Sequence, residues 1–348
     1  MKQSVVDENS VLARWLHSRY GRKPVRDIVQ EIADGLLATA RVSSPPVDPA
    51  VFFPGRHIRD YRRFARHGGD TSASKRRVQI DDDAYSGRLR VTDDGFVVEA
   101  KAGPLNRIRF TLAHEIGHTL FYDLDSRPPQ RVIYGEAPRD EEQFCNWFAS
   151  ELLMPRALVR NHLETCQAAE PALSPTGAIV RLADIFRVSP RAMGRRLVED
   201  LGLLDGVGLG CRWLPGATRS STSEPDWSWR LSWWAVSPHV AEPLYLPSVD
   251  KRPKVRLAPV EQCFLRGTDL LVQVQPHSVR LGNLGKVLRE ACKDAETVNL
   301  WSHAVLREGV QLESNVAEGP DDLTPDVLMR QSSEIILFFP IATSAPPP

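Results

Sequence analysis

The chain has 348 residues with 44 basic and 44 acidic side chains, so its formal net charge is zero and bulk electrostatics give no support to a protein whose main task is gripping phosphates. A chain of that length ordinarily divides into two domains, each large enough for its own core. Cys145, Cys166, Cys211, Cys263 and Cys292 are odd in number, widely spaced and free of any CxxC, which fits reduced thiols in a cytoplasmic protein and excludes a disulfide scaffold. Met1 to Glu8 lack the apolar core of a secretion signal, and no window reaches the roughly 18 apolar residues of a membrane span, so no membrane partner is expected.

In chain order, residues 8–37 place apolar side chains at helical spacing, as in Val11-Leu12, Trp15-Leu16, Ile28-Val29, Ile32 and Leu36-Leu37, and predict two helices. Pro45, Pro46, Pro49 and Pro54 then break the pattern into a loop. From His57 to Arg77 seven Lys or Arg (Arg59, Arg62, Arg63, Arg66, Lys75, Arg76, Arg77) stand against Asp60 and Asp70, with Asp81-Asp82-Asp83 following. Such a block reads as a solvated surface segment neutralised by the acidic run. Gly87 to Ala100 has period-two features around Asp93-Asp94-Gly95 and predicts a hairpin.

The next element carries chemistry. His114-Glu115-Ile116-Gly117-His118 is an HExxH inside a helical apolar pattern, which sets two imidazoles one turn apart with a carboxylate beside them. Two such His can share one Zn²⁺, and the adjacent Glu115 can take a proton from an attacking water, the general-base role in peptide hydrolysis. The motif alone is weak, and a catalytic zinc site needs a third protein ligand, for which His₂Glu is a known set. Glu142, which opens a second helical run that ends at Pro155, is the favoured candidate, mainly on the motif quoted below. Its rival is Glu141, with Asp140 and Glu151 further off; adjacent helical positions differ by about 100°, so only one of the pair can face a metal squarely. Asn146, one turn beyond Glu142, is placed to accept the free ring N–H of a ligating His, against the plainer reading of a local backbone partner. Asp123 and Asp125 read as a polar turn ahead of Pro128-Pro129 and are not assigned to the metal.

RFTLAHEIGHTLFYD at 109–123, followed by E-x-x-C-N-x-F-A-x-x-L-L-M-P at 142–155, resembles the paired motif of the ImmA/IrrE family of zinc metallopeptidases, in order and in spacing. Pro46-Val47-Asp48-Pro49 resembles the family's entry to its first domain, and Arg181-Leu182-Ala183 to Leu197 its closing helical pair, so the resemblance covers roughly residues 10–205. It implies His114, His118 and Glu142 as metal ligands and Glu115 as catalytic base. It also implies Zn²⁺ as the metal, one per chain, with other divalent ions such as Mn²⁺ admissible. The implied substrate is a protein, typically a helix-turn-helix transcriptional repressor cut at one site in stress or mobile-element control. Cys145 departs from the family's usual Ala. Tyr122, Tyr134 and His162 are candidate oxyanion donors that the sequence cannot place. An edge strand of the 87–100 hairpin beside the metal helix, which the resemblance implies, would accept an extended peptide by main-chain pairing.

Residues 176–204 predict two short helices meeting at Val188-Ser189-Pro190, a pair resembling helix-turn-helix. Arg181, Arg187, Arg191, Arg195 and Arg196 face Asp184, Glu199 and Asp200. A DNA-binding role for this pair is the less favoured reading, since so small a basic excess attracts phosphates weakly. The favoured one is a cap on the peptidase core through Leu182, Ile185, Phe186, Met193, Leu197 and Leu201. After Leu204, Asp205-Gly206-Val207-Gly208-Leu209-Gly210 reads as a linker or turn, and its glycines lack the G-x-G-x-x-G spacing. The remainder holds six of the eight Trp, with short apolar runs at Trp229–Val236, Asp269–Val274 and Glu334–Phe339 and helical patterns near 283–293 and 324–331. The Trp residues read as core ahead of a ligand cradle. Ala345-Pro346-Pro347-Pro348 is expected to be a disordered tail.

The fold class expected is α+β: a mainly helical zincin-like metallopeptidase domain with a small β-sheet (1–175), a helix-turn-helix-like pair closing it (176–204), and a strand-rich C-terminal domain of unknown role (205–344), at the place where some members of the family it resembles carry a sensing module. The rival to peptide hydrolysis is a regulatory or DNA-binding protein that keeps the zincin-like scaffold without cutting. The intact Glu115 argues against it.

Overall fold

The computed structural model describes residues 6–7, 10–64, 87–133, 138–215, 227–239, 270–274, 298–306 and 332–340. Most of the basic block beyond Phe64, Asp81 to Asp83, Tyr134, Cys263, Cys292, the helical patterns at 283–293 and 324–331 and the terminal prolines lie outside the described residues. The chain is a mixed α and β protein that forms two compact units, Lys2–Asn161 with Ala183–Ser189, and His162–Leu182 with Pro190–Pro348.

In the first unit the two helices expected near the N-terminus are α1 (Val11–Tyr20) and α2 (Val25–Thr39). Ser10 caps α1 by accepting the Ala13 N–H at 3.1 Å, and Gly21, at φ 81°, ends it by returning its N–H to the His17 carbonyl. Val25, Ile28, Val29, Ala33 and Leu37 form the buried stripe of α2. Asp48 accepts the Ala50 N–H at the start of a short 3₁₀ turn (Pro49–Phe52).

Three strands follow: β1 (Ile58–Phe64), β2 (Gly87–Thr92) and β3 (Gly95–Lys101). Their order is β1-β3-β2, with β3 parallel to β1 and antiparallel to β2. The hairpin is in the expected place, with Asp93-Asp94 at its tip and Leu89 opposite Val98. Phe96, Val97, Val98 and Ala100 are buried because β3 is central, while β2 is an edge.

Helix α3 (Leu105–Thr119) carries HExxH and packs on β2 and β3. Gly87 permits that approach: a Cβ there would lie 2.3 Å from Thr111 Cγ2 and 3.0 Å from Glu115 Oε1. The preceding segment is tied to the same helix, through Arg56 Nε–H donating to Thr119 Oγ1 at 2.8 Å and Arg109 donating to the Val47 carbonyl. After α3 come the two-residue strands β4 (Tyr122–Asp123) and β5 (Gln130–Arg131), then helix α4 (Pro138–Leu153), which packs against both α3 and α2. Phe144, Cys145, Phe148, Ala149, Leu152 and Leu153 are its fully buried stripe, and Phe144 meets Phe121 edge-on at 5.2 Å. Helix α5 (Arg156–Ala169) begins after Pro155.

Helices α6 (Pro175–Phe186) and α7 (Pro190–Arg195) are the expected short pair, and α7 runs on as a π-helical turn (Arg196–Asp200). Leu182, Phe186, Met193 and Leu197 are buried as expected, whereas Ile185 and Leu201 are half-buried. Arg181 pairs with Glu170 at 2.9 Å, Arg195 with Glu199 at 3.0 Å, and the buried Arg196 with Asp200 at 3.8 Å, so these Arg already face carboxylates.

The strands β6 (Gly206–Pro215), β7 (Trp227–Val236), β8 (Leu270–Val274), β9 (Val298–Leu306) and β10 (Ser332–Pro340) form one antiparallel sheet ordered β7-β6-β10-β9-β8. The glycine run 206–210 is the start of β6, a strand paired on both sides, and not a linker. Its glycines make room for an aromatic ring: a Cβ on Gly210 would fall 1.8 Å from Trp233 Nε1, and one on Gly194 of α7 would fall 2.5 Å from the same indole. Trp233 is 1% exposed, so this Trp is core.

Candidate active site

The helical repeat of α3 brings His114 and His118 to one face, their ring centroids 4.9 Å apart and their Nε2 atoms 3.1 Å apart. Helix α4 presents Glu142 to the same two atoms: its carboxylate lies 3.2 Å from His114 Nε2 and 3.4 Å from His118 Nε2. Donors held tetrahedrally around a zinc-sized ion at about 2.0–2.2 Å stand roughly 3.3–3.6 Å apart. The triangle of two imidazoles and one carboxylate therefore matches that spacing to within a few tenths of an ångström. Glu142 is 57% exposed, so the side of the triangle it forms is open to water and to a substrate.

Each imidazole is held from behind. His114 Nδ1 lies 3.1 Å from Asn146 Oδ1, the contact expected for that amide. His118 Nδ1 lies 2.8 Å from Glu141 Oε1. With both Nδ1 atoms protonated toward these oxygens, both Nε2 lone pairs would turn to a metal bound in the triangle, whereas in its absence Nε2 protons donate to Glu142. Glu141 is thus directed to the opposite edge of the His118 ring from Glu142. Its other oxygen accepts from Arg131, whose Nε–H also donates to the Ile133 carbonyl at 2.7 Å. The sequence weighed Glu141 only as a rival ligand; two successive carboxylates at the head of a helix facing HExxH were the available sign that one of them backs a histidine.

Cys145 also comes near, its Sγ within 4.8 Å of His114 and His118 ring nitrogens. A thiol ligates as thiolate, and burial pushes Cys145 up to about 11, so at pH 7 it is a neutral group packed on Gly117. Between the two candidate third donors, Glu142 is the better placed, being charged and within 3.4 Å of both Nε2 atoms. Hydrogen bonds from His114 and His118 hold the Glu142 carboxyl well below the ordinary carboxylate range. Burial works against protonation of His118, but Cys145, Glu141 and Glu142 outweigh it and raise its proton affinity. Because the thiol is neutral, the two carboxylates supply that negative charge.

Glu115 is 4% exposed and faces the start of β2, where a Cβ on Gly87 would lie 3.0 Å from its Oε1. Burial raises its pKa against the pull of His118 and His114, which suits a group that must accept a proton during a reaction. The edge strand β2 and the Glu115 carboxyl therefore lie side by side. Tyr122 packs edge-on to Phe96 at 5.1 Å with the Arg131 guanidinium over its ring, and His162 sits on α5. Asp123 accepts the Asp125 N–H within a local turn. Among the described residues no helix is long and apolar enough to cross a membrane, and Cys145, Cys166 and Cys211 are free thiols.

An HExxH helix facing a second helix that offers a carboxylate to both imidazoles is the frame of a metallopeptidase. Residues 76–198 match the Peptidase_M78 family, the IrrE N-terminal-like domain, which agrees with the resemblance to the ImmA/IrrE metallopeptidases and indicates a hydrolase acting on peptide bonds. The match leaves 1–75 and 199–348 outside it. No curated protein matches the chain.

Proposed function

We propose that the protein is a zinc-dependent endopeptidase that cuts one protein substrate at a defined site. The observation that carries this reading is the triangle of His114, His118 and Glu142, with the buried Glu115 beside it. These three residues would hold the metal, which supplies Lewis acidity to the scissile carbonyl and to the attacking water. Glu115 takes the proton from that water as its oxygen bonds to the carbonyl carbon, then delivers it to the amide nitrogen as the C–N bond breaks. Asn146 and Glu141 keep the imidazoles in the Nδ1–H tautomer throughout. The edge of β2, outermost among the described strands, would offer main-chain groups to an extended peptide, and the close approach of Gly87 to Glu115 favours that edge as the place where the peptide meets the reacting atoms.

The resemblance to ImmA/IrrE proteins supports a helix-turn-helix repressor as substrate, in stress or mobile-element regulation, and cysteine usage supports a cytoplasmic setting. We retain 1–175 as the peptidase domain, 176–204 as the pair that closes it and 205–344 as a strand-rich domain suited to sensing a signal.

The test has two parts. Purified wild type should carry about one zinc per chain, lost in His118→Ala and Glu142→Ala. Glu115→Gln should keep its metal and lose cleavage by roughly 10²–10⁴-fold, the usual contribution of a general base. Sequencing new protein N-termini in cells making wild type against Glu115→Gln then identifies the substrate. A repressor cut equally in both, or a wild type that takes up no metal, sinks the proposal.

A further inference from the structure

The two histidines are backed unequally. Behind His114 stands a neutral amide, Asn146, at 3.1 Å and in an exposed position. Behind His118 stands a carboxylate at 2.8 Å whose side chain is only 13% exposed. Neither oxygen of Glu141 is idle, since one takes the His118 Nδ1–H and the other a guanidinium N–H of Arg131. Arg131 is itself fixed by the Ile133 carbonyl and by the Tyr122 ring, 6.0 Å from its guanidinium carbon. These contacts form a chain from the β4-β5 hairpin through Arg131 and Glu141 to the His118 ring.

We propose that Glu141, oriented by Arg131, is a positioning residue for His118: it fixes the ring's rotation and tautomer so that Nε2 stays aimed between His114 and Glu142. The proposal rests on the reading of His114, His118 and Glu142 as the ligand set. A charge-assisted hydrogen bond is shorter and stronger than a neutral one, and a carboxylate behind an imidazole also raises its strength as a donor. His118 is therefore the firmer of the two histidine ligands, and the hairpin that supplies Arg131 belongs to the metal site although it offers no ligand. Loss of Glu141 weakens metal binding more than loss of Asn146 does.

The experiment is a Zn²⁺ titration of the metal-free full-length chain against a chromophoric chelator, reading stoichiometry and affinity separately. Glu142→Ala should lose its stoichiometric site. Glu141→Ala should keep one site and bind about 10- to 100-fold more weakly, the usual cost of removing such a partner. Glu141→Gln, whose amide oxygen still accepts from Nδ1–H but without the charge, should recover part of that loss; Arg131→Met should fall between wild type and Glu141→Ala; and Asn146→Ala should lose less than Glu141→Ala. A second readout is the His118 Nδ1 proton in the NMR spectrum of the zinc-loaded protein, which should lie far downfield in wild type and move upfield in Glu141→Gln. Should Glu141→Ala fail to fold in the metal-free state, Glu141→Gln and Arg131→Met carry the comparison.

Unchanged affinity in Glu141→Ala with an unmoved His118 resonance in Glu141→Gln overturns the positioning role while leaving the ligand set standing. Loss of the site in Glu141→Ala with retention in Glu142→Ala overturns both, since Glu141 is then the ligand. A wild type without any zinc site likewise removes the ground under both.

Discussion

At the residue scale the site depends on where single protons sit. Glu115 is a carboxyl that burial makes hard to ionise. Such a group binds its proton more tightly in the folded chain than in the unfolded one, so its contribution to stability is fullest in acid and is lost as pH rises from its ordinary value near 4.5 through its raised folded value. Glu115→Gln removes that penalty. In the metal-free protein the variant should melt higher than wild type at pH 7, and the gap should narrow toward pH 4; calorimetry across that range measures it. A gap independent of pH would mean that Glu115 is not held above its ordinary value. The same substitution should abolish cleavage, so here stability and activity move in opposite directions, as expected where a buried ionisable group is kept for chemistry.

At the element scale the close approach of β2 to α3 decides how the base meets the edge strand. Gly87→Ala drives a methyl group against Thr111 Cγ2 and toward the Glu115 carboxylate, so either strand or helix must give way. Overpacking of this kind costs about 1–3 kcal/mol, and urea unfolding should register it. Cleavage should fall more than stability alone explains, because the displaced strand also lies beside Glu115. In the C-terminal sheet, Trp233 fills the space left by Gly194 and Gly210. Trp233→Ala should cost about 3–5 kcal/mol through the cavity it leaves, and denaturation followed by tryptophan fluorescence should show it. A loss well under 1 kcal/mol would mean that this indole is not the centre of the unit's packing. The glycine run of β6 shows why its strand was hidden in the sequence. Glycine weakens strand propensity locally, and the compensation comes from a ring on another strand, with Gly210 opposite Trp233 in the register.

At the scale of the whole molecule, two compact units share one chain and the metal-ligand candidates all lie in the first of them. Binding that occurs only in the native state stabilises by mass action, about 4 kcal/mol when free metal is a thousandfold above the dissociation constant. Calorimetry should therefore resolve two transitions, of which zinc raises one and a chelator returns it, while the other stays in place. If zinc moved both equally, the two units would be unfolding as a single cooperative body.

The sequence by itself determined what is local. HExxH on an apolar helical repeat places two imidazoles on one face because 3.6 residues make a turn, and Asp93-Asp94-Gly95 between alternating runs makes a hairpin because turn chemistry is carried by the residues in the turn. The helices at 11–20 and 25–39 and the buried face of the pair near 182–197 were readable for the same reason. Tertiary structure decided what depends on residues far apart in the chain. Glu141 and Glu142 are chemically alike and adjacent, and apart from the motif spacing that favours Glu142 nothing local says what the other one does. Only the packing of α4 on α3, joining positions 23 residues apart, sends Glu141 to Nδ1 of His118 and Glu142 to the Nε2 atoms. In the same way Gly87 and Gly210 have no meaning in sequence until a helix or an indole is brought against them. Hydrogen bonds and close contacts are fixed by distances in space, and no periodicity along the chain encodes them.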